Sequence, residues 1–516
     1  MTELSRRQKA VILVGLMMGL FLTSLNQTTV VTAMPRIVAN LGGMHLYSWV
    51  FASYMLGSTC AVPICGKLSD LLGRRPVFVA GLALFTIASA LNGFAQNMEQ
   101  LVLFRGVQGL AAAAIMPLVM IMIGDIFPPS ERGKFQGLLS GVWAVASVIG
   151  PLVGGFLVDN WDWRWVFFFN VPVGLVTIVV AFHALKGLAP PKRKPSIDYL
   201  GMFTFTTGIV SLLLGLQLGS TEYPWGSPQI TGLLGAAAVL LFIFVLVERV
   251  VEEPILPLPL LKNPVFAVTA SAAFFTGIAI FSTITFAPLL LQAVLGTSAT
   301  RSGVLMMPQA LGLVIGSTLG GFIIARTGYR IVIWIGTAFM AIGIYLLTLI
   351  GTQSRDEVIL ISMTVMGLGW GATGPTFTTI VQNTVEHAQI GIATSSVQFF
   401  RQIGATLGIT LMGAFLTLRL GPAIQSRMTE GSLGPLTGAK AGGSLNAQAL
   451  LDSATAASLP PSALEAVRNA LAASLNELFY LAAGAAVLSF VFCLFLKEVP
   501  LKKQWKTDPS LRRGDS

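Results

Sequence analysis

Arg105 and Gln108 stand three residues apart in the stretch LVLFRGVQGLAAAAIMPLVMIMIGD (101–125), one helical turn apart and on nearly the same face. A guanidinium keeps its proton and donates through five N–H groups, so within an apolar helix it requires acceptors or water. The same requirement recurs at Arg401 and Gln402 in QFFRQIG (398–404), and Asn26 in LNQTT (25–29) adds an uncharged amide. These five residues suit hydrogen bonding and charge recognition of a ligand in which no bond is broken. A second set, Gly66, Asp70, Gly73, Arg74 and Arg75 in GKLSDLLGRR (66–75), places one carboxylate among cations. The glycines permit a tight turn, and the ion pairs can lock neighbouring helix ends together. A third set, Gly150, Pro151, Gly154 and Gly155, removes side chains and one backbone donor, which allows a helix bend and a close crossing. There is no Ser/His/Asp set, metal cluster or phosphate loop, so the sequence predicts no enzyme and no metal site.

The elements that must position these residues are membrane helices. Hydrophobic residues make up 54% of the 516, charged residues 10%, and the mean hydropathy is +0.78. A soluble chain carries about 25% charge. Fourteen candidate spans emerge: 10–32, 47–65, 77–95, 101–124, 135–158, 165–185, 199–218, 230–247, 265–290, 302–325, 331–350, 358–380, 393–418 and 475–496. With the N-terminus inside, the short inner flanks and the tail after Leu496 hold 22 of the 32 Lys and Arg residues, against four in the short outer flanks. This bias predicts both termini in the cytoplasm of an inner or plasma membrane. It also explains the net charge of +10 without nucleic acid. Once the outer segment 419–474 is set aside, Arg105 and Arg401 are the basic residues left within spans, and no acid lies near a span centre. For Arg105 the competing reading is a side chain snorkelling from a helix end, four residues into its span. Cys60, Cys65 and Cys493 all fall in apolar spans, which argues against disulfides. The apolar run after the basic Ser5–Lys9 is long enough to be a span, so no cleavable signal peptide is expected.

The chain repeats itself. GLAAAAIMP (109–117) matches GLGWGATGP (367–375) at an offset of 258, and Gly73 matches Gly328 at 255. The predicted fold is therefore all-α, with two six-helix halves, residues 1–190 and 263–516, joined by a linker, 191–262, that carries two extra helices. Repeats of this kind place a ligand site between the halves near the bilayer midplane. Phe274, Phe275, Phe281, Trp143, Trp370 and Phe400 are candidates to line it, and half of them are expected only to pack. Trp161, Trp163 and Trp165 read as interfacial anchors. His45, His183 and His387 fall in loops or near a span end, poor places for a proton relay.

The loop GKLSDLLGRR resembles that of the major facilitator superfamily, whose pattern is G-x-L-x-D-x-x-G-R-[RK]. Arg105-Gly-Val-Gln108-Gly109 is similar to the family's fourth-span motif, and Gly150-Pro151-Leu-Val-Gly154-Gly155 to its antiporter motif. Trp163-Arg164-Trp165, Asn170-Val-Pro172-Val-Gly174 and Gln398-Phe-Phe-Arg401-Gln402-Ile-Gly404 resemble the fourteen-span drug:proton antiporters of the EmrB/QacA type. The resemblance implies a secondary exporter of amphipathic compounds, working by alternating access and driven by the proton gradient, with no cofactor. Asp70, Arg74 and Arg75 would then serve a cytoplasmic gate, and Asn26, Arg105, Gln108, Arg401 and Gln402 the polar part of the cavity. Asn26 departs from the family, which usually has a proton-trading Asp there, and an amide cannot titrate. A monomer is expected, in contact with the bilayer and a small amphipathic substrate, and segment 419–474 is a candidate docking site for a periplasmic adaptor. The alternatives are a dedicated exporter of one metabolite, antibiotic or lipid, and a non-transporting receptor or scaffold.

Overall fold

Lipid offers the backbone no hydrogen-bond partner, so a chain this apolar must satisfy its peptide groups internally. In the computed structural model the described residues are 5–42, 46–187, 198–221, 223–251, 258–297, 299–351, 354–386, 389–430 and 461–498. They form α1 (Arg6–Leu41), α2 (Tyr47–Leu72), α3 (Arg74–Gly93), α4 (Met98–Ala113), α5 (Met116–Ile126), α6 (Pro129–Asn160), α7 (Trp165–Phe168) and α8 (Asn170–Ala184). These are followed by α9 (Tyr199–Thr221), α10 (Pro228–Glu248), α11 (Leu258–Lys262), α12 (Pro264–Leu289), α13 (Ala299–Thr327), α14 (Tyr329–Leu347), α15 (Asp356–Thr384), α16 (Ile390–Glu430) and α17 (Pro461–Leu494). Helix starts are marked in the sequence: Asn97 accepts from the Gln100 amide at 2.8 Å to cap α4, and Asn263 accepts from Val265 at 3.0 Å to cap α12.

Helices α1 to α8 pack on one another as one half and α12 to α17 as the other, while α9 and α10 form a hairpin. The internal repeat is visible in the packing. A side chain at Gly109 would strike the carbonyl of Tyr54, and one at Gly367 the carbonyl of Gln309, so the α2–α4 and α13–α15 crossings are the same contact made twice. Gly73 (φ 99°) and Gly328 (φ 83°) make the equivalent tight turns before α3 and α14.

Twelve helices among the described residues are long and apolar enough to cross a membrane, α4 with α5 and α7 with α8 each counting as one. Two further long helices, α6 and α16, each pack against the opposite half. The fourth span, expected to be continuous, is two helices broken at Ala114–Ile115, just before Pro117. Proline cannot donate the hydrogen bond that would carry the first helix through. The expected outer segment 419–474 also shrinks: α16 continues to Glu430 and α17 begins at Pro461. Hydropathy marks where the apolar solvent ends, whereas a helix can run on into water. Residues 431–460, like Lys192, His45 and His387, lie outside the described residues.

The halves meet unequally at their two ends. Near the end carrying Arg6, Asp70 and Arg326, buried residues of both halves, such as Leu20, Met122, Phe266 and Phe377, form one shared core. Towards the other end, Val30, Met34 and Trp163 belong to a core of the first half alone, and Ile344, Ile359 and Leu475 to one of the second. The molecule is therefore closed at the end bearing Ser5 and Glu498.

Candidate functional site

A cavity of about 200 Å³ lies between the halves. The first half supplies faces of α1, α2, α4 and α6 and the broken joint before Pro117; the second supplies α12, α13, α15 and α16. Its apolar wall includes Trp143, Trp370 and Phe281, with Trp370 edge-on to Trp143 at 5.8 Å and to Phe281 at 6.2 Å. Phe274, Phe275 and Phe400 do not line it; Phe275, for example, stacks on Phe492 at 5.5 Å. Gln402 reaches across the cavity and donates to the Ser58 hydroxyl at 3.1 Å, linking α16 to α2.

The five polar residues expected in the cavity divide into two groups. Arg401 and Gln402 line it. Arg105, Asn26 and Gln108 do not: Arg105 is 1% exposed, and Asn26 and Gln108 are fully buried. The Arg105 guanidinium donates to Asn26 Oδ1 and Gln108 Oε1, each at 2.8 Å, and to the Val50 carbonyl at 3.4 Å. It also lies 4.4 Å from the ring centre of Tyr54, and the Tyr54 side chain faces the cavity. Sequence spacing brought these residues to one level, but it could not show that Tyr54 stands between them and the cavity. Snorkelling is excluded, since the charge is enclosed by amide oxygens, a carbonyl and a π-face. Asn92 extends the network by donating to Gln108 Oε1 at 3.1 Å. Among the described residues no carboxylate pairs with Arg105.

Arg401 is held differently. No hydrogen bond or ion pair joins its guanidinium to another described residue. Its backbone is pinned, because Gly277 of α12 packs directly on the Arg401 carbonyl, leaving no space for a side chain at 277. The side chain thus projects from a fixed point, half-buried, beside Gly374.

At the closed end, Arg74 bridges two carboxylates, donating to Asp125 at 2.8 Å and to Asp70, and also to the Ser69 hydroxyl at 2.7 Å. Asp70 packs against Gly391 in the first turn of α16, where free amides and the helix dipole favour an anion. Gly66 packs against Ser395 in the same way. Any side chain at 66 or 391 would wedge the halves apart. Gly73 turns the chain so that Arg74 faces this contact, while Arg75 is turned away over the Phe182 ring of α8 at 4.1 Å. Arg75 therefore stays within the first half. Sequence reasoning missed Asp125 as the partner of Arg74, although the acid was visible at a span end. It also missed Gln382, which donates to the Met120 carbonyl of the other half at 3.2 Å, and Arg132, which donates to the carbonyls of Gly124 (2.6 Å) and Phe127 (3.0 Å) at the end of α5.

The third set gives a crossing without a break. Helix α6 is one helix through Pro151, and Gly150 packs on Thr28 of α1, whose hydroxyl donates to the Ala146 carbonyl at 3.1 Å. Gly154 is buried, whereas nothing lies near a side chain built at Gly155. Trp161 and Trp165 are exposed as anchors should be, but Trp163 is 1% exposed, edge-on to Phe167 at 6.2 Å. His183 is exposed at the end of α8.

A sequence model described as the Major Facilitator Superfamily matches residues 16–409. The chain is 38% identical over 522 residues to the multidrug transporter protein MdtP of Bacillus subtilis (strain 168), covering 98% of this chain and 96% of that one. It is 35% identical over 494 residues to multidrug resistance protein 3 of the same organism, covering 95% and 96%. Two solved structures share the fold at a TM-score of 0.62: the human organic anion transporter MFSD10 (12% identity, 94% of this chain and 99% of that) and the proton:xylose symporter XylE (14%, 96% and 97%).

Proposed function

Because the chain belongs to the Major Facilitator Superfamily, we propose that it is a multidrug efflux transporter, a secondary exporter that moves amphipathic compounds out of the cell by alternating access. The family consists of transporters, so the chain is a multi-pass membrane protein and not an enzyme. The observation that carries the export reading is the cavity between two halves that are joined at the basic end and separate at the other. The full-length similarity to two Bacillus subtilis proteins named for multidrug transport supports it.

The finer reading is a fourteen-span, EmrB/QacA-type antiporter in the cell membrane, with the closed basic end in the cytoplasm. Supporting it, α6 and α16 are 32 and 41 residues long and sit among the spans of their halves. Both also carry polar groups to the cavity between the halves, including Ser140, Gln398, Arg401 and Gln402. The charge bias of the loops supports the orientation. A monomer is proposed as the working unit. The proton gradient is the proposed energy source. With Asn26 in place of an acid, the proton is proposed to act at the gate, where Asp70 and Asp125 share Arg74. Differential stability of the two end states is what such coupling requires.

Reconstitution into proteoliposomes under an imposed pH gradient, with cationic, neutral and anionic amphiphiles, tests the reading. At least one compound should accumulate against its gradient, with accumulation abolished by a protonophore. No movement of any compound would remove the exporter reading.

A further inference from the structure

We propose that the Arg401 guanidinium is a substrate-binding group, and that the cavity selects amphipathic monoanions with a carboxylate or a similar oxyanion beside a flat apolar body. The inference deepens the export reading and rests on it for the word substrate. Among the described lining residues Arg401 is the one bearing a formal charge, and no acid faces it from any of the helices that form the cavity. Arg105, the other cation of the spans, is enclosed behind Tyr54 and has its acceptors in place. Arg401 has none among the described residues, yet desolvation is costly for a charge without hydrogen-bond acceptors. A planar fork of N–H donors facing an apolar cavity fits a carboxylate in two-point contact better than any other common group.

Two further features agree. The Ser24 hydroxyl on α1, beside the cavity, is buried with no hydrogen-bond partner among the described residues, so the polar side of the site is not saturated. The paired edges and faces of Trp143, Trp370 and Phe281 form a wall suited to an aromatic or fused-ring body. A cationic amphiphile would place its charge in the field of Arg401 with no carboxylate to offset it.

The test is binding by the full-length chain in lipid nanodiscs, measured by equilibrium dialysis against protein-free discs. Three matched probes are used: 1-naphthylacetate, 1-naphthylacetamide and 2-(1-naphthyl)ethylammonium. Wild type should bind the carboxylate at least about tenfold more tightly than the ammonium, a difference of roughly 1.4 kcal/mol. Arg401→Gln should abolish that preference and leave amide binding close to wild type, whereas Arg401→Lys should retain the carboxylate-over-ammonium order. Arg105→Gln, if folded, should not reverse the order. The ordering in wild type alone is decisive even if Arg401→Gln fails to fold. Ammonium binding equal to or tighter than carboxylate binding would overturn the assignment, as would carboxylate preference surviving in Arg401→Gln. So would absence of carboxylate binding at about 1 mM. Because dialysis involves no transport, a chain that binds the carboxylate but moves nothing in proteoliposomes loses the export reading and keeps the anion site.

Discussion

Asp70→Asn isolates the electrostatic part of the closed end. The carboxylate makes two interactions, one with Arg74 and one with the first turn of α16. The first lies within one half and survives in part, because Arg74 keeps Asp125 at 2.8 Å. The second joins the halves and exists only while that end is closed. An anion at a helix N-terminus contributes about 0.3–2 kcal/mol, and the Asp70 side chain is only 12% exposed, so the upper part of that range, about 1–2 kcal/mol, applies. An amide of the same shape keeps the packing against Gly391 and loses the charge. The open-to-closed ratio should therefore rise by a factor of about 5–30. Ser395 reports it: the residue is fully buried against Gly66 and becomes reachable only when the halves part. In a background without Cys60, Cys65 and Cys493, a Ser395→Cys variant is alkylated by a membrane-impermeant maleimide from the basic end. The alkylation rate follows the open fraction, so Asp70→Asn should raise it by that same factor. An unchanged rate in equally folded protein refutes the charge–dipole account of the gate.

Asn26→Asp places a carboxylate against the Arg105 guanidinium, 2.8 Å from the present amide oxygen, and sacrifices only Asn26 Nδ2, which has no partner among the described residues. Melting temperature in detergent at neutral pH should hold or rise and transport should depend more strongly on the proton gradient; a marked fall in melting temperature is the contrary result. Gly109→Ala forces the α2–α4 crossing apart at the Tyr54 carbonyl and should lower stability by about 1–3 kcal/mol, whereas Gly155→Ala, with open space around it, should be neutral or slightly stabilising. Thermal unfolding of the two variants side by side checks the contrast. Reporter fusions at Lys192 and Gly442 should read opposite sides of the membrane, cytoplasmic and external; the same side for both would contradict fourteen spans.

The sequence carried the span pattern, the repeat and the two polar clusters because each rests on local composition or spacing. Gly109 and Gly367 could be aligned by eye, and the structure places both at the same kind of crossing. What spacing could not carry was partnership across the chain. Arg105 and Arg401 look alike in a hydropathy reading, each an arginine in an apolar run with glutamine nearby. They differ because Tyr54, contributed by another helix, closes over one and nothing closes over the other. Arg74 and Asp125 are 51 residues apart, and only the packing of α3 on α5 makes them a pair. Helix ends were misjudged for another reason: α16 leaves the apolar region without losing its hydrogen bonds, so composition ended before the helix did.

The hairpin between the halves has a mechanical consequence. Helix α9 lies along the junction of α2 and α16, where Phe205 meets Phe244 of its own hairpin at 4.9 Å and Phe399 of the second half at 5.1 Å, beside Cys60 and Ala61 of the first. It touches both moving bodies and is fixed to neither by hydrogen bonds among the described residues. Any rocking of the halves must shear this apolar contact, so α9 acts as a sliding bearing whose friction is set by the side chains at 205 and 399. On this flank it also covers the apolar seam of α2 and α16 around Cys60, Ala61 and Phe399, so a bulkier side chain at 205 would load both halves at once.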